Sequence, residues 1–271
     1  MDTNAEANDR LVESLLAVNQ LQYTLPPQLG ICTSRKHVVM FPQQASYTGS
    51  STIIIDSQTG STYVDPFNSY FVFKVNLTTT GPAVWSWGSG SVANLIDRII
   101  VRSRSGKELS RVESFPLWVK HSQLYSKGRD WNQTIGRSQG YPDYSVAPTN
   151  ASYGDSYDSG ADYTFILPLH LIPCFAPLNG KLLPPQLMEG LRLEITLADP
   201  RTAVAPYNAT VLTNVTSVIT PELHYDCFTV ADQFARKIID MSARSGLKLL
   251  YEEAFHTLVV ASTTSINFDI K

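Results

Sequence analysis

Charge is scarce in this sequence. Only 17% of its 271 residues are Asp, Glu, Lys or Arg, and the formal net charge is −3. That balance excludes a broad basic surface of the kind that grips nucleic acid or anionic membrane through many phosphate contacts. Cysteine is scarcer still, with Cys32, Cys174 and Cys227 as its full complement. An odd number at wide spacing gives neither a disulfide framework nor a zinc-type pair, so free, mostly buried thiols in a reducing compartment are expected. No apolar run approaches the ~18 residues of a membrane span. The opening MDTNAEANDR has no cationic stretch leading into an apolar core, so no secretory leader is expected and synthesis is assigned to cytoplasm or nucleus. The N-x-[ST] sites at Asn76, Asn132, Asn150, Asn208 and Asn214 are then expected to be unused.

Catalytic signatures are also missing. The chain contains no phosphate-cradling G-x-x-x-x-G-K-[ST], no G-x-G-x-x-G, no G-x-S-x-G and no H-E-x-x-H. Gly88-Ser89-Gly90-Ser91 lacks the lysine and helix start of a phosphate loop and reads as a connection between strands. The histidines His37, His121, His170, His224 and His256 are scattered. His170 and His224 fall in apolar strands, where a satisfied core or interface histidine is the expected role and a metal ligand the alternative. Asp155 and Asp158, in YGDSYDSG, offer two carboxylates without calcium-loop spacing; a solvated loop and a weak calcium site both remain open. No enzyme activity, cofactor, metal or small-molecule substrate is expected.

What the chain does have is β-pattern. SYFVFKVNLT (69–78) places Phe71, Phe73, Val75 and Leu77 on one face and Val72, Lys74 and Asn76 on the other. Further strands are expected at 37–41, 52–56, 93–104, 163–172, 190–198 and 221–228. LKLLYEEAF, HTLVVAS and SINFDIK, after residue 246, read as strands as well. Helical spacing is confined to three stretches. Residues 6–22 carry Leu11, Leu15, Leu16 and Val18. Residues 114–126 carry Leu117, Trp118, His121 and Leu124. Residues 229–244 carry Phe234, Ile238, Ile239 and Met241, with Ser245-Gly246 as the stop. Short strands, turn signals and a long Gly/Pro/Ser/Asp/Tyr-rich loop at 137–162 predict an all-β sandwich of the jelly-roll kind with a few short helices.

Two features invite a binding role. Arg98, Arg102, Arg104, Lys107 and Arg111 are the best candidate for a local basic patch, with a solvated strand face as the expected reading. Trp85 and Trp87, in GPAVWSWGSG, have three possible uses: stacking on a sugar, packing under a loop, or meeting a neighbouring subunit.

SRKHVVMFPQQASYTGSSTIIID followed by STYVDPFNSYFVFKVNLT resembles the opening of double jelly-roll major capsid proteins of polinton-like viruses, virophages and adintovirus-type DNA viruses. Asn68-Ser69-Tyr70-Phe71 carries that likeness. So do Pro168, Leu169, Leu187, Leu191, Arg192, Leu193, Glu194 and Ile195 in the later strands. The stretch from ITPELHYDCF through the 229–244 helix resembles the join between two rolls. The resemblance implies an N-terminal arm at 1–29, a first jelly roll at 30–228, and a linker helix with the start of a second, incomplete roll at 229–271. It implies a structural protein of the virion, made in host cytoplasm or nucleus and not secreted. Such a protein assembles as homotrimers into pseudo-hexameric capsomers of an icosahedral shell. Expected partners are copies of itself, neighbouring capsomers, and penton or minor capsid proteins. The arm would meet an internal membrane or the genome. Trp85, Trp87, Trp118, Trp131, Tyr141, Tyr144, Tyr153 and Tyr157 are the expected intersubunit contacts, because desolvated Trp and Tyr dominate association energies. The competing readings are a carbohydrate-binding β-sandwich and a single jelly-roll penton or minor capsid protein.

Overall fold

A computed structural model describes residues 32–79, 84–87, 90–141, 157–206, 212–214, 216–246 and 252–254. The expected helix at 6–22, the contact candidates Tyr144 and Tyr153, the acidic Asp155 and the strands expected after residue 254 lie outside the described residues.

Eight strands carry the architecture: β1 (Cys32–Met40), β3 (Thr52–Asp56), β4 (Tyr63–Val75), β7 (Ile96–Arg102), β8 (Glu108–Glu113), β10 (Tyr163–Pro168), β11 (Arg192–Leu197) and β14 (Thr216–Val230). They form two sheets, ordered β1-β14-β4-β10 and β3-β11-β7-β8. Counting only these eight, the orders are first-eighth-third-sixth and second-seventh-fourth-fifth. That is the two-Greek-key pairing of a jelly roll. Shorter strands fill the ends. β2 (Ser46–Thr48) pairs with β14. β5 (Thr78–Thr79) pairs with β13 (Leu212–Asn214). β6 (Val84–Ser86) lies between β9 (Tyr157–Asp158) and β12 (Ala205–Pro206).

The alternation in β4 explains why it forms where it does. Phe71, Phe73 and Val75 are buried, while Tyr70 and Val72 are half-buried and Lys74 is exposed. It pairs antiparallel with β10, Phe71 opposite Leu167 and Phe73 opposite Phe165. At its start, the Asp65 carboxylate accepts from the Phe67 and Asn68 amides and from Asn68 Nδ2, and Ser69 Oγ donates to the Asp65 carbonyl. Ser69 Oγ in turn accepts from the Asp226 amide on β14. The Asn68-Ser69-Tyr70-Phe71 motif thus fastens two strands while pointing Phe71 inward. Leu193 and Ile195 of β11 do the same for the opposite sheet, packing with Ile53, Ile55, Ile99, Val101 and Val112. Truncating one of these aliphatics to alanine removes about 2–5 kcal/mol.

Several boundaries differ from expectation. The 93–104 segment opens as a 3-10 turn at Val92–Leu95, because the Ser91 hydroxyl accepts from the Ala93 amide; the strand begins at Ile96. The 163–172 segment ends as a strand at Pro168 and turns through Leu169–Leu171. Proline cannot donate to a ladder, and its fixed φ suits a strand end. Helix α1 (Phe115–Ser126) forms as expected, but Leu117 and His121 of the expected stripe do not face inward, while Trp118 packs against the core. Phe115, Val119 and Gln123 are buried, one helical turn apart, while Leu117 and His121 are exposed. Gln123 is tolerated there because its amide donates to Gln139 Oε1 at 3.2 Å. Helix α2 (Asp232–Ser245) ends at Gly246, whose φ of 71° only glycine adopts freely and whose amide caps the Ser242 carbonyl.

By contacts the chain divides into two units. Residues 36–227 hold the sandwich core. Residues 1–35 with 228–247 form the other; its described part comprises the beginning of β1, the end of β14 and α2. Within that smaller unit, Thr33 Oγ1 donates to the Thr229 carbonyl and Arg35 lies over the Phe228 ring.

The three thiols are free, Cys32 exposed and the others buried. Burial pushes the Cys174 thiol up to about 12 and raises Cys227 as well. A thiol in that range supplies almost no thiolate at pH 8. Native protein at pH 8 should therefore react with a chromogenic disulfide at one site, Cys32, and at all three only after denaturation. Rapid native reaction of more than one thiol would contradict this burial.

Candidate assembly surfaces

The aromatic residues expected to face neighbours do not form one patch. Trp85 is 0% exposed. It sits opposite Tyr157 in the β6–β9 ladder and stacks on that ring at 4.7 Å, with Trp87 and Tyr163 meeting it edge-on. Trp87 is buried too, edge-on to Phe165 at 5.4 Å. Gly140, at φ +76°, lies so close that an added Cβ would come within 2.5 Å of Trp87 Nε1. Neither indole N–H finds a hydrogen-bond acceptor among the described residues. Their edge-to-face rings give the weaker N–H···π contact a place to act. Of the three uses open to this pair, the structure has them pack inside their own chain. With both rings enclosed, they offer no platform on which a sugar could stack.

The other candidates are spread out. Trp118, half-buried on α1, donates through Nε1 to the Leu171 carbonyl at 2.8 Å. Trp131, also half-buried, meets the buried Tyr141 edge-on and lies under Lys127. Tyr157 is half-buried between Trp85 and Tyr163. The large apolar side chains that do reach solvent in the sandwich unit were missed by sequence reasoning. Among the described residues they are Phe41 at 68%, Leu117 at 58% and Ile135 at 61% exposure. Phe41 reads as the end of a strand and Leu117 as part of a helical stripe. The loss of β-structure before Pro42 exposes Phe41, and the orientation of α1 exposes Leu117; Ile135 opens a separate short helix, Ile135–Ser138.

The outer face of the β3-β11-β7-β8 sheet is a ladder of ion pairs. Arg192 grips Asp56 with two bonds, at 2.7 and 3.1 Å. Arg102 bonds Glu194 at 3.1 Å and reaches Glu108 at 3.5 Å. Arg111 bridges Glu108 and Glu113, and Arg98 reaches Glu113. The register places opposite charges across from each other: Arg98 faces Glu113, Arg102 faces Glu108, and Arg192 faces Asp56. Four arginines thus meet four carboxylates. The Arg98, Arg102 and Arg111 part of the basic patch is neutralised as a solvated strand face, and Arg104 lies against Gly190 at the sheet's end. This face carries no net positive field for a polyanion.

Other chemistry is sparse. Buried Tyr225 shares a 2.7 Å hydrogen bond with Ser57, and burial raises its phenol above the ordinary range. His170 stacks on Phe67, with Nδ1 3.3 Å from that residue's carbonyl, and burial lowers its pKa. An open cleft of about 380 Å³ is lined by Asp97, Ser114, Lys120 and Thr202 among others. Asn76 Nδ2, where an N-glycan would attach, already donates to Asp162 at 2.6 Å and to the Gly160 carbonyl. Among the described residues no three or more His, Cys, Asp or Glu side chains converge as for a metal. Among them, too, no helix is long and apolar enough to cross a membrane.

No protein-family model matches the sequence, and no curated protein matches it. The fold, in contrast, is shared with solved viral capsid structures. A quasi-atomic model of the PBCV-1 virus capsid matches at a TM-score of 0.54 and 12% identity, covering 80% of this chain and 47% of that one. PBCV-1 VP54, fitted into a reconstruction of the virophage Sputnik, matches at 0.52 and 14%, with the same coverage. At these identities the likeness establishes the jelly-roll fold. The chain spans about half the length of the capsid proteins it matches.

Proposed function

We propose that this chain is a structural, non-catalytic capsid protein of a virion that assembles through copies of itself. The observation that carries the reading is the pair of sheet orders. Two four-stranded antiparallel sheets close as one jelly roll, and that roll overlays on about half of a viral capsid chain. In this reading 1–29 is an arm, 30–228 the first roll, and 229–271 a linker helix with the start of a second roll. Two rolls per chain in a homotrimer give six sandwiches, hence a pseudo-hexameric capsomer. Neighbouring capsomers and penton or minor capsid proteins complete the shell, and the arm contacts an internal membrane or the genome.

Contacts between subunits fall to side chains with surface to give. Phe41, Leu117 and Ile135 lead, joined by the half-buried Trp118, Trp131 and Tyr157 and by Tyr144 and Tyr153 of the long loop. Trp85, Trp87 and Tyr141 hold the scaffold beneath them. Light scattering after size exclusion, with negative-stain microscopy of the purified chain, tests the proposal. Ring-shaped trimers or shells are expected; a monomer at every concentration up to about 100 μM would count against self-assembly.

A further inference from the structure

One cluster has no part in the core, the ion-pair ladder or the exposed apolar surface. On the outer side of the β1-β14-β4-β10 sheet, His37 of edge strand β1 meets His224 of β14, with His37 Nε2 and His224 Nδ1 2.8 Å apart. The other nitrogen of His224, Nε2, lies 2.9 Å from Glu222 Oε2. Glu222 and His224 are two residues apart on one strand and so share a face. Tyr70, on the next strand, stacks on His224 at 5.0 Å and 10°, and its hydroxyl is 3.5 Å from His37 Nε2.

These contacts orient the imidazoles. A carboxylate on His224 Nε2 holds the proton there and leaves a lone pair on Nδ1, the arrangement that carboxylates impose on metal-ligating histidines. The Tyr70 ring and Glu222 fix the plane of His224. His37 is exposed on an edge strand. In the metal-free protein the two facing nitrogens share a hydrogen bond.

We propose that His37 and His224 form a two-imidazole site for a borderline transition-metal cation of the Cu²⁺/Ni²⁺ class, which takes the place of the hydrogen bond between them. Imidazole–metal bonds of about 2.0–2.1 Å put two cis nitrogens about 2.9 Å apart at a right angle, and about 3.3 Å apart in a tetrahedron. The hydrogen-bonded nitrogens stand 2.8 Å apart, near the right-angle spacing that tetragonal Cu²⁺ and Ni²⁺ favour, but with centroids 5.0 Å apart their lone pairs point at each other and not at a shared point. With His224 held by Glu222 and Tyr70, metal binding requires the His37 ring to swing aside until its lone pair meets that of His224 at one point. The protein supplies two ligands, Glu222 supports one of them from behind, and water fills the remaining positions. Bound metal would clip edge strand β1 to β14. The inference does not depend on the capsid reading, since it concerns the folded chain and not its assembly.

The test is thermal unfolding of the purified chain at pH 7.5 with Ni²⁺, Cu²⁺ or Mg²⁺, alongside electron paramagnetic resonance of the Cu²⁺ form. Millimolar Ni²⁺ should raise the midpoint by about 5 °C and Mg²⁺ should leave it unchanged. The Cu²⁺ spectrum should show coupling to two imidazole nitrogens. His37→Ala, a change at an exposed position, should abolish both effects, as should His224→Ala. Glu222→Gln should weaken binding about tenfold or more while keeping the fold. Cys32→Ser removes the exposed thiol of the same strand and should leave binding intact. The proposal is overturned by no midpoint shift, by a shift that persists in His37→Ala, by one lost in Cys32→Ser, or by a spectrum without imidazole nitrogens.

Discussion

Trp85→Ala is expected to cost about 3–5 kcal/mol of folding stability. Domains of this kind hold only about 5–15 kcal/mol in total, so a large fraction of the margin goes with one side chain. The reason is geometric. The indole is fully enclosed, stacked on Tyr157 and crossed by Trp87 and Tyr163, so truncation opens a cavity that the three remaining rings cannot close. Its orphaned N–H offsets little, since no conventional hydrogen bond is lost with it. Urea unfolding followed by circular dichroism reads the effect directly, as a large fall in midpoint with the slope retained. Trp131→Ala is the control. That ring is half-buried and its main partner is Tyr141, so a loss of about 1 kcal/mol is expected. If Trp85→Ala left stability within about 1 kcal/mol of the parent and removed assembly instead, Trp85 would be an intersubunit anchor after all.

The contrast between these tryptophans shows what the sequence could carry. Strands β4 and β11 were legible because period-two burial is written locally: Phe71, Phe73 and Val75, or Leu193 and Ile195, alternate with side chains that reach solvent. The jelly-roll class followed from such strands and from a likeness in strand chemistry. Other features depend on partners remote in the chain. Trp85 is enclosed because β9 brings Tyr157 across from it, and Trp87 because Gly140 and Phe165 close over it. Nothing within GPAVWSWGSG announces those partners. The α1 stripe failed for a related reason. Leu117, Trp118, His121 and Leu124 have helical spacing, but Phe115 and Val119 fit the core, and Gln139 satisfies Gln123 so that it can follow them inward. The basic patch was half legible. Its arginines were visible, but Glu108 and Glu113 lie across one strand register and Glu194 across another, so its neutrality emerged only with the sheet. His224 was noted as an isolated strand histidine, and its partner His37 comes from the far end of the roll.

Leu117→Asp and Ile135→Asp, made separately and together, should leave the fold intact and weaken self-association at least about 100-fold in the double variant. Both side chains are exposed, so an added carboxylate stays hydrated in the free chain and should change the unfolding free energy by no more than about 0.5 kcal/mol. In a contact the balance reverses. Each buried Leu or Ile contributes about 1.5–3 kcal/mol, and an aspartate in its place must be desolvated without a partner. Two such losses exceed the roughly 2.7 kcal/mol that 100-fold represents. Sedimentation velocity over a concentration series measures the shift, and unfolding of the same samples shows whether the fold survived. Phe41→Asp extends the test to the third exposed apolar side chain. Association unchanged in all three variants would remove these residues from the interface. A fall in association accompanied by an equal fall in stability would place them in the core of the subunit instead. The separation of the two readouts gives the experiment its force, because Trp85 and Leu117 are predicted to move them in opposite combinations.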